Sequence, residues 1–117
     1  PRLGGLMYES WGTENEGVEC ARVTTYKENE VLELNGRFGL DGAVVSVAHF
    51  ELRVDGKTTT LALSHHIIGE LDEQTQQMYS FGWNDLLATR LKAFVEKGER
   101  YGIGHPPPPG LIAPEGR

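Results

Sequence analysis

Apolar side chains follow two rhythms along this chain. Before residue 70 they sit in short stretches rich in β-branched and aromatic residues: Leu6–Trp11 (LMYESW), Val18–Lys27 (VECARVTTYK), Val31–Asn35 (VLELN), Ala43–Val54 and Lys57–Ile68. Such stretches predict strands. Turn chemistry separates them: the polar loop Gly12–Gly17, the charged turn Glu28–Glu30, a Gly-rich connection between Asn35-Gly36 and Asp41-Gly42, and Asp55-Gly56. From Asp72 to Lys97 (DEQTQQMYSFGWNDLLATRLKAFVEK) the apolar spacing becomes helical. Asp72 is a good N-cap, Glu73 suits the positive end of the helix dipole, and Gly98 suits a left-handed cap.

Asp55-Gly56 is the strongest local signal and predicts a two-residue type I′ hairpin turn. That turn would set Val54 opposite Lys57 and His65 opposite Ser46. One face of the hairpin then collects Val44, Ser46, Ala48, Phe50, Leu52 and Val54 with Ile67, His65, Leu63, Leu61 and Thr59. The other collects Val45, Val47, His49, Glu51 and Arg53 with His66, Ser64, Ala62 and Thr60. The first set is mainly apolar and the second largely polar, so the sheet buries one side and wets the other. The same logic applied to the Lys27–Glu30 turn pairs Thr25 with Leu32 and Val23 with Leu34 facing inward, with Glu33 outward. The longer loop of the first hairpin sets no register, and Leu6, Tyr8 and Ser10 are expected inward. At 100° per residue, Tyr79, Trp83, Leu86, Leu87, Leu91 and Phe94 share one helix face. Gly82 costs the helix about 1 kcal/mol relative to Ala, which signals close approach of another element, room for a ligand, or plain tolerance. A single long helix after a strand meander has little but the sheet to pack on. The fold expected is therefore α+β, a curved antiparallel sheet gripping one long helix, with a space for a small molecule between them.

Composition narrows the partners. The 117 residues suit one domain, and a net charge of −6 argues against nucleic acid and against anionic membrane surfaces. No apolar run approaches the roughly 20 residues that span a bilayer, and no signal peptide is visible. The single Cys20 fits a small strand residue in a reducing, cytoplasmic setting. Five of the six prolines lie in residues 105–117, an extended tail with polyproline II character, so the domain expected is 1–104.

Candidate chemistry is sparse. His65 and His66 are adjacent on a strand and point to opposite faces, while His49 and His66 share a face too far apart to ligate together. His105 is in the tail. No metal site and no cofactor are expected. His65, turned inward beside the Ser46 hydroxyl, fits either a hydrogen-bonded structural histidine or a binding or general-base group. Tyr79 and Trp83 fit core packing or the wall of a pocket. Glu9, Glu19 and Glu33 are spread over three strands and form no acid–base pair. No phosphate loop, nucleophile elbow or catalytic triad is present.

The succession PRLGGLMYESW, VECARVTTY, VLELNG, SVAHFELRVDGKTTTLALSHH and GWNDLLATRLKAFVEKG resembles the SRPBCC superfamily, the START-like and birch-pollen-allergen-like helix-grip proteins. Within it the residues look most like bacterial proteins related to the activator of the heat-shock ATPase. The resemblance runs from about Pro1 to Tyr101. It implies a helix gripped by a curved antiparallel sheet around a cavity for apolar or amphipathic ligands. Family members usually carry a strand and two short helices before the RLGG region, and this sequence shows none. The resemblance thus implies a partial chain, or one that completes its sheet with another chain through two unpaired edges.

Three functions follow as expectations. The first is binding of a hydrophobic or amphipathic small molecule by Tyr8, Phe50, Leu61, Leu63, His65, Tyr79, Trp83 and Leu87. The second is a protein-interaction or chaperone co-factor module, including a homo-oligomer joined at open sheet edges. The third is a cyclase- or dehydratase-type enzyme with His65 or a cavity tyrosine as acid or base; a non-enzymatic role is favoured over it.

Overall fold

A computed structural model describes residues 1–99; the Pro-rich tail, His105 and the expected boundary at residue 104 lie outside the described residues. The chain divides into a sheet unit, Pro1–Glu70, and a second unit that begins at Leu71.

The sheet unit holds β1 (Leu6–Ser10), β2 (Gly17–Lys27), β3 (Val31–Gly36), β4 (Val44–Asp55) and β5 (Thr58–Gly69). They form one antiparallel meander in the order β1-β2-β3-β4-β5. Each connection is short, which is why sequence neighbours are also sheet neighbours. The β2–β3 hairpin turns at Asn29, whose φ of 62° is left-handed, a conformation that Asn tolerates.

The β4–β5 hairpin corrects the expected turn. Asp55 pairs with Thr58, so the two turn residues are Gly56 and Lys57 rather than Asp55 and Gly56. Only Gly56 of the two has positive φ, 61°, which is the requirement of a type II′ turn and not of type I′. Moving the turn by one residue moves every cross-strand partner by two. His65 therefore stands opposite Ala48, Leu63 opposite Phe50 and Leu61 opposite Leu52. A shift of two preserves the face of every side chain, so the inner and outer sets survive the error.

Two bulges account for the other corrections. The β2–β3 register shifts between Val23 and Thr25. Val23 pairs with Leu34 as expected, but Thr25 pairs with Glu33, and its hydroxyl donates to Glu33 Oε1 at 3.3 Å. Thr25 is thus outward, and Tyr26 rather than Thr25 faces Leu32. The β1–β2 register shifts between Met7 and Tyr8, setting Met7 opposite the buried Ala21 and Leu6 opposite the outward Arg22. All of β1 is exposed, so the inward placement of Leu6, Tyr8 and Ser10 does not hold as a buried face. A bulge inserts one unpaired residue, and hydrophobic alternation alone does not mark where.

Buried apolar residues run across the middle of the sheet (Ala21, Val23, Leu34, Ala48) and into the β3–β4 connection (Phe38, Leu40) and the start of β4 (Val44).

The second unit is a continuous helical segment in three parts: α1 (Glu73–Trp83), a π-helical stretch (Asn84–Leu91) and α2 (Lys92–Lys97). Both expected caps are present. Asp72 Oδ1 accepts from the Thr75 N–H at 2.6 Å, and Gly98 closes the segment at φ 71°. The Gly98 N–H bonds to the Phe94 carbonyl at 2.9 Å, the αL closure, and the Glu99 N–H reaches back to the Ala93 carbonyl at 3.3 Å. The π stretch is a departure from expectation. The Lys92 N–H bonds to the Leu87 carbonyl, five residues back, and Arg90 Nε lies 3.0 and 2.9 Å from the two Asp85 oxygens, again at a spacing of five. An α-helix would bring together residues three or four apart. A single 100° wheel therefore does not describe the segment, and Leu86, Leu91 and Phe94 are exposed. Gly82 is exposed too, and a β-carbon there would meet nothing within 4 Å, so no neighbour requires glycine. No helix among the described residues is long and apolar enough to cross a membrane.

Candidate functional site

The inner face of the sheet brings four of the proposed binding residues together. Leu32 on β3, Phe50 on β4 and Leu63 on β5 stand in one cross-strand row. Val23, Leu34, Ala48 and His65 form the next row across four strands. Leu61 extends the face opposite Leu52. Phe50, Leu61, Leu63 and His65 are all half-buried.

Tyr8 is placed differently. It is 67% exposed and borders a groove of about 760 Å³ lined by Gly4, Gly5, Met7, Tyr8, Val23, Leu32 and Leu34, among others. The groove exists because the segment before β1 continues its pairing: the Gly4 N–H bonds to the Val23 carbonyl and the Val23 N–H to the Gly5 carbonyl, both at 2.9 Å. Two glycines leave no side chain above Val23. Through Leu32 and Leu34 the groove is continuous with the rows that hold Phe50, Leu63 and His65.

Tyr79, Trp83 and Leu87 belong to the helical unit, the first two in α1 and the third in the π stretch; all three are half-buried.

At one end of the inner face lies a polar chain. Ser46 is buried, and its hydroxyl donates to the Gly36 carbonyl at 2.5 Å. His65 Nε2 lies 3.0 Å from Ser46 Oγ. Because the hydroxyl proton is committed to the carbonyl, the imidazole is the donor to Ser46. The expected Ser46–His65 contact thus forms as a diagonal neighbour pair rather than a directly opposed one. Gly36 is required in this chain: a β-carbon would fall 2.1 Å from the Cys20 carbonyl oxygen and 2.6 Å from the Ala21 Cα. Burial, with His66 adding in the same direction, holds His65 below the ordinary value of 6.5, so it is neutral at neutral pH.

Phe38 completes this end, and reading the sequence as a plain Gly-rich connection overlooked it. Its ring meets the His65 ring edge-on, with centroids 4.9 Å apart at 60°. It adopts φ 50°, unusual for a bulky side chain, and its N–H bonds to the Cys20 carbonyl at 2.9 Å. The available signal was the alternation Phe38, Leu40 in the stretch RFGLDG, two apolar residues with no role in a solvent loop.

The outer face carries a second histidine. His49 Nδ1 is hydrogen-bonded to Glu33 Oε2 at 3.0 Å, and Thr25 and Glu33, Glu33 and His49, and His49 and Ser64 are successive cross-strand pairs. No group of three or more His, Cys, Asp or Glu side chains that could hold a metal occurs among the described residues.

The direction of the inner hydrogen bonds limits the chemistry. In a nucleophilic serine the imidazole accepts the hydroxyl proton. Here the hydroxyl donates elsewhere and the imidazole donates to it, so this pair is arranged to hold and not to activate. Comparison of the chain with protein-family models, with curated proteins and with solved structures returned no match.

Proposed function

We propose that the chain binds a hydrophobic or amphipathic small molecule against the inner face of its sheet. The observation that carries this reading is the groove of about 760 Å³, whose lining includes Met7, Tyr8, Val23, Leu32 and Leu34 beside Arg2 and Arg22, and which is continuous with Phe50 and Leu63. Its size falls within the range of small-molecule sites, ~300–1,000 Å³, and its lining is mostly apolar with a few polar groups, as such sites are. The Ser46–His65 pair at the end of the face gives a polar reference point for an amphipathic ligand. We carry the helix-grip layout into the same proposal, supported by the five-strand meander and the capped helical segment that follows it.

The test is a titration of the 117-residue chain with Nile red and with a long-chain fatty acid, paired with native mass spectrometry of molecules that copurify. Saturable binding is expected. Tyr8→Glu, at an exposed position that the fold tolerates, should weaken it about tenfold, the loss of ~1.4 kcal/mol of aromatic contact. Absence of saturable binding, or identical affinity in Tyr8→Glu with the melting temperature unchanged, overturns the assignment of the groove.

A further inference from the structure

The two edges of the sheet differ in how they are protected. β1 has five residues, breaks register against β2 between Met7 and Tyr8, and carries Glu9. Short length, a bulge and a charge are the devices by which an edge resists pairing with another chain. β5 has none of them. It runs twelve residues, Thr58–Gly69, and pairs with β4 residue for residue without a register break. Its sequence TTTLALSHHIIG contains no Asp, Glu, Lys, Arg or Pro. Among the described residues no strand other than β4 pairs with it.

We propose that β5 is a self-association edge, through which two copies of the chain pair antiparallel about a twofold axis normal to the sheet. The result is one continuous sheet of twice the five strands of a single copy.

A second copy fits this edge for three reasons. The pairing strand must itself be long, regular and uncharged, and β5 of another copy meets each condition, whereas β1 meets none. Self-pairing is isologous and closes at two, while β5 against β1 would be head-to-tail and open-ended. A chain of net charge −6 repels its copies, and β5 is a stretch where two of them meet without any charged side chain opposed to its like. The axis keeps inner faces together, so Leu61, Leu63 and Ile67 of one copy extend the apolar rows of the other. A near-complete overlap, offset by one residue so that inner positions meet inner positions, would add about ten ladder hydrogen bonds. This inference is independent of the small-molecule reading and is tested without a ligand.

Light scattering and sedimentation of the 117-residue chain should give twice the 12.9 kDa of one chain. Hydrogen exchange should show the outward amides of β5 as slow as those of β4 in the dimer, and fast again on dilution. The double variant Thr60→Lys/Ser64→Lys, at two exposed outer-face positions, adds positive charge along the pairing edge and brings the residue-64 lysines of the two copies together near the axis. It should be monomeric with an unchanged far-UV spectrum. A monomer at every concentration overturns the proposal, as does a dimer whose β5 amides exchange as fast as those of a loop. Should the lysine variant fail to fold, the exchange measurement on the unaltered chain decides alone.

Discussion

His65 and His49 are separated by one strand step on the same sheet, yet they are held in opposite ways. His65 faces inward, donates to a neutral hydroxyl that is itself tied to a backbone carbonyl, and is capped by the Phe38 ring. His49 faces outward and is hydrogen-bonded to a carboxylate, with 37% of its side chain in solvent. The inner arrangement centres on Ser46, which is buried and finds its hydrogen bonds within the protein, with the half-buried His65 beside it. The outer one is a surface pair whose partners have water as an alternative. Removing a partner should therefore cost more on the inner face, although only the outer pair contains a formal charge.

Ser46→Ala should show the largest effect. It removes the hydroxyl from between Gly36 and His65 and strips the carbonyl and the imidazole N–H of this partner. The expected loss is ~2 kcal/mol, within the ~1–3 kcal/mol typical of a buried polar group left unsatisfied. Urea denaturation measures it. A loss below that of the outer-face variant described last would mean that water replaces the hydroxyl and that the inner face is wetter than its burial indicates.

The same difference has a pH signature. Burial holds the folded-state His65 below the ordinary 6.5 of the unfolded chain. As pH falls through about 6.5, the unfolded chain takes up a proton that the folded chain resists, so stability decreases until the folded imidazole is also protonated. Above about 6.5 both states are neutral and the contribution is constant. Stability should thus drop as pH falls through about 6.5, and the drop should shrink in His65→Gln, whose amide still offers a donor to Ser46 without titrating. An equal drop in His65→Gln would assign the pH dependence to other groups.

These contrasts were partly visible in the residues themselves. Inner and outer faces were readable because strand alternation has period two. Misplacing the Asp55-Gly56 turn by one residue moved partners by two and left every face intact. Ser46 and His65 met for that reason even though they are not directly opposed. Thr25 was misassigned because it follows a bulge, and a bulge reverses parity without leaving a mark in the hydrophobic pattern; Tyr8 borders the groove as an exposed and not a buried residue. Phe38 was missed because its contact comes from a connection whose path depends on backbone φ and not on periodicity. In the helical segment the ends were legible, since caps are local chemistry. The interior was not, because the π stretch alters the angular step that the wheel assumes. The outward Glu33 and His49 were each placed correctly, but their pairing needed the β3–β4 register, which no turn signal fixed.

Glu33→Gln gives the smallest expected effect and the sharpest test of the comparison. The glutamine keeps the shape and an acceptor oxygen for His49 while removing the charge. With 29% of the Glu33 side chain and 37% of His49 exposed, solvent screens the pair, and the loss should stay under ~1 kcal/mol. Because the effect is electrostatic and near the surface, it should fade as salt shortens the screening length, whereas the Ser46→Ala loss should not. Denaturation of both variants at low and high salt separates the two. Should the Glu33→Gln loss persist undiminished in high salt, the Glu33–His49 pair is acting through geometry, holding β3 against β4. The outer face would then be a second structural network and not a solvated surface.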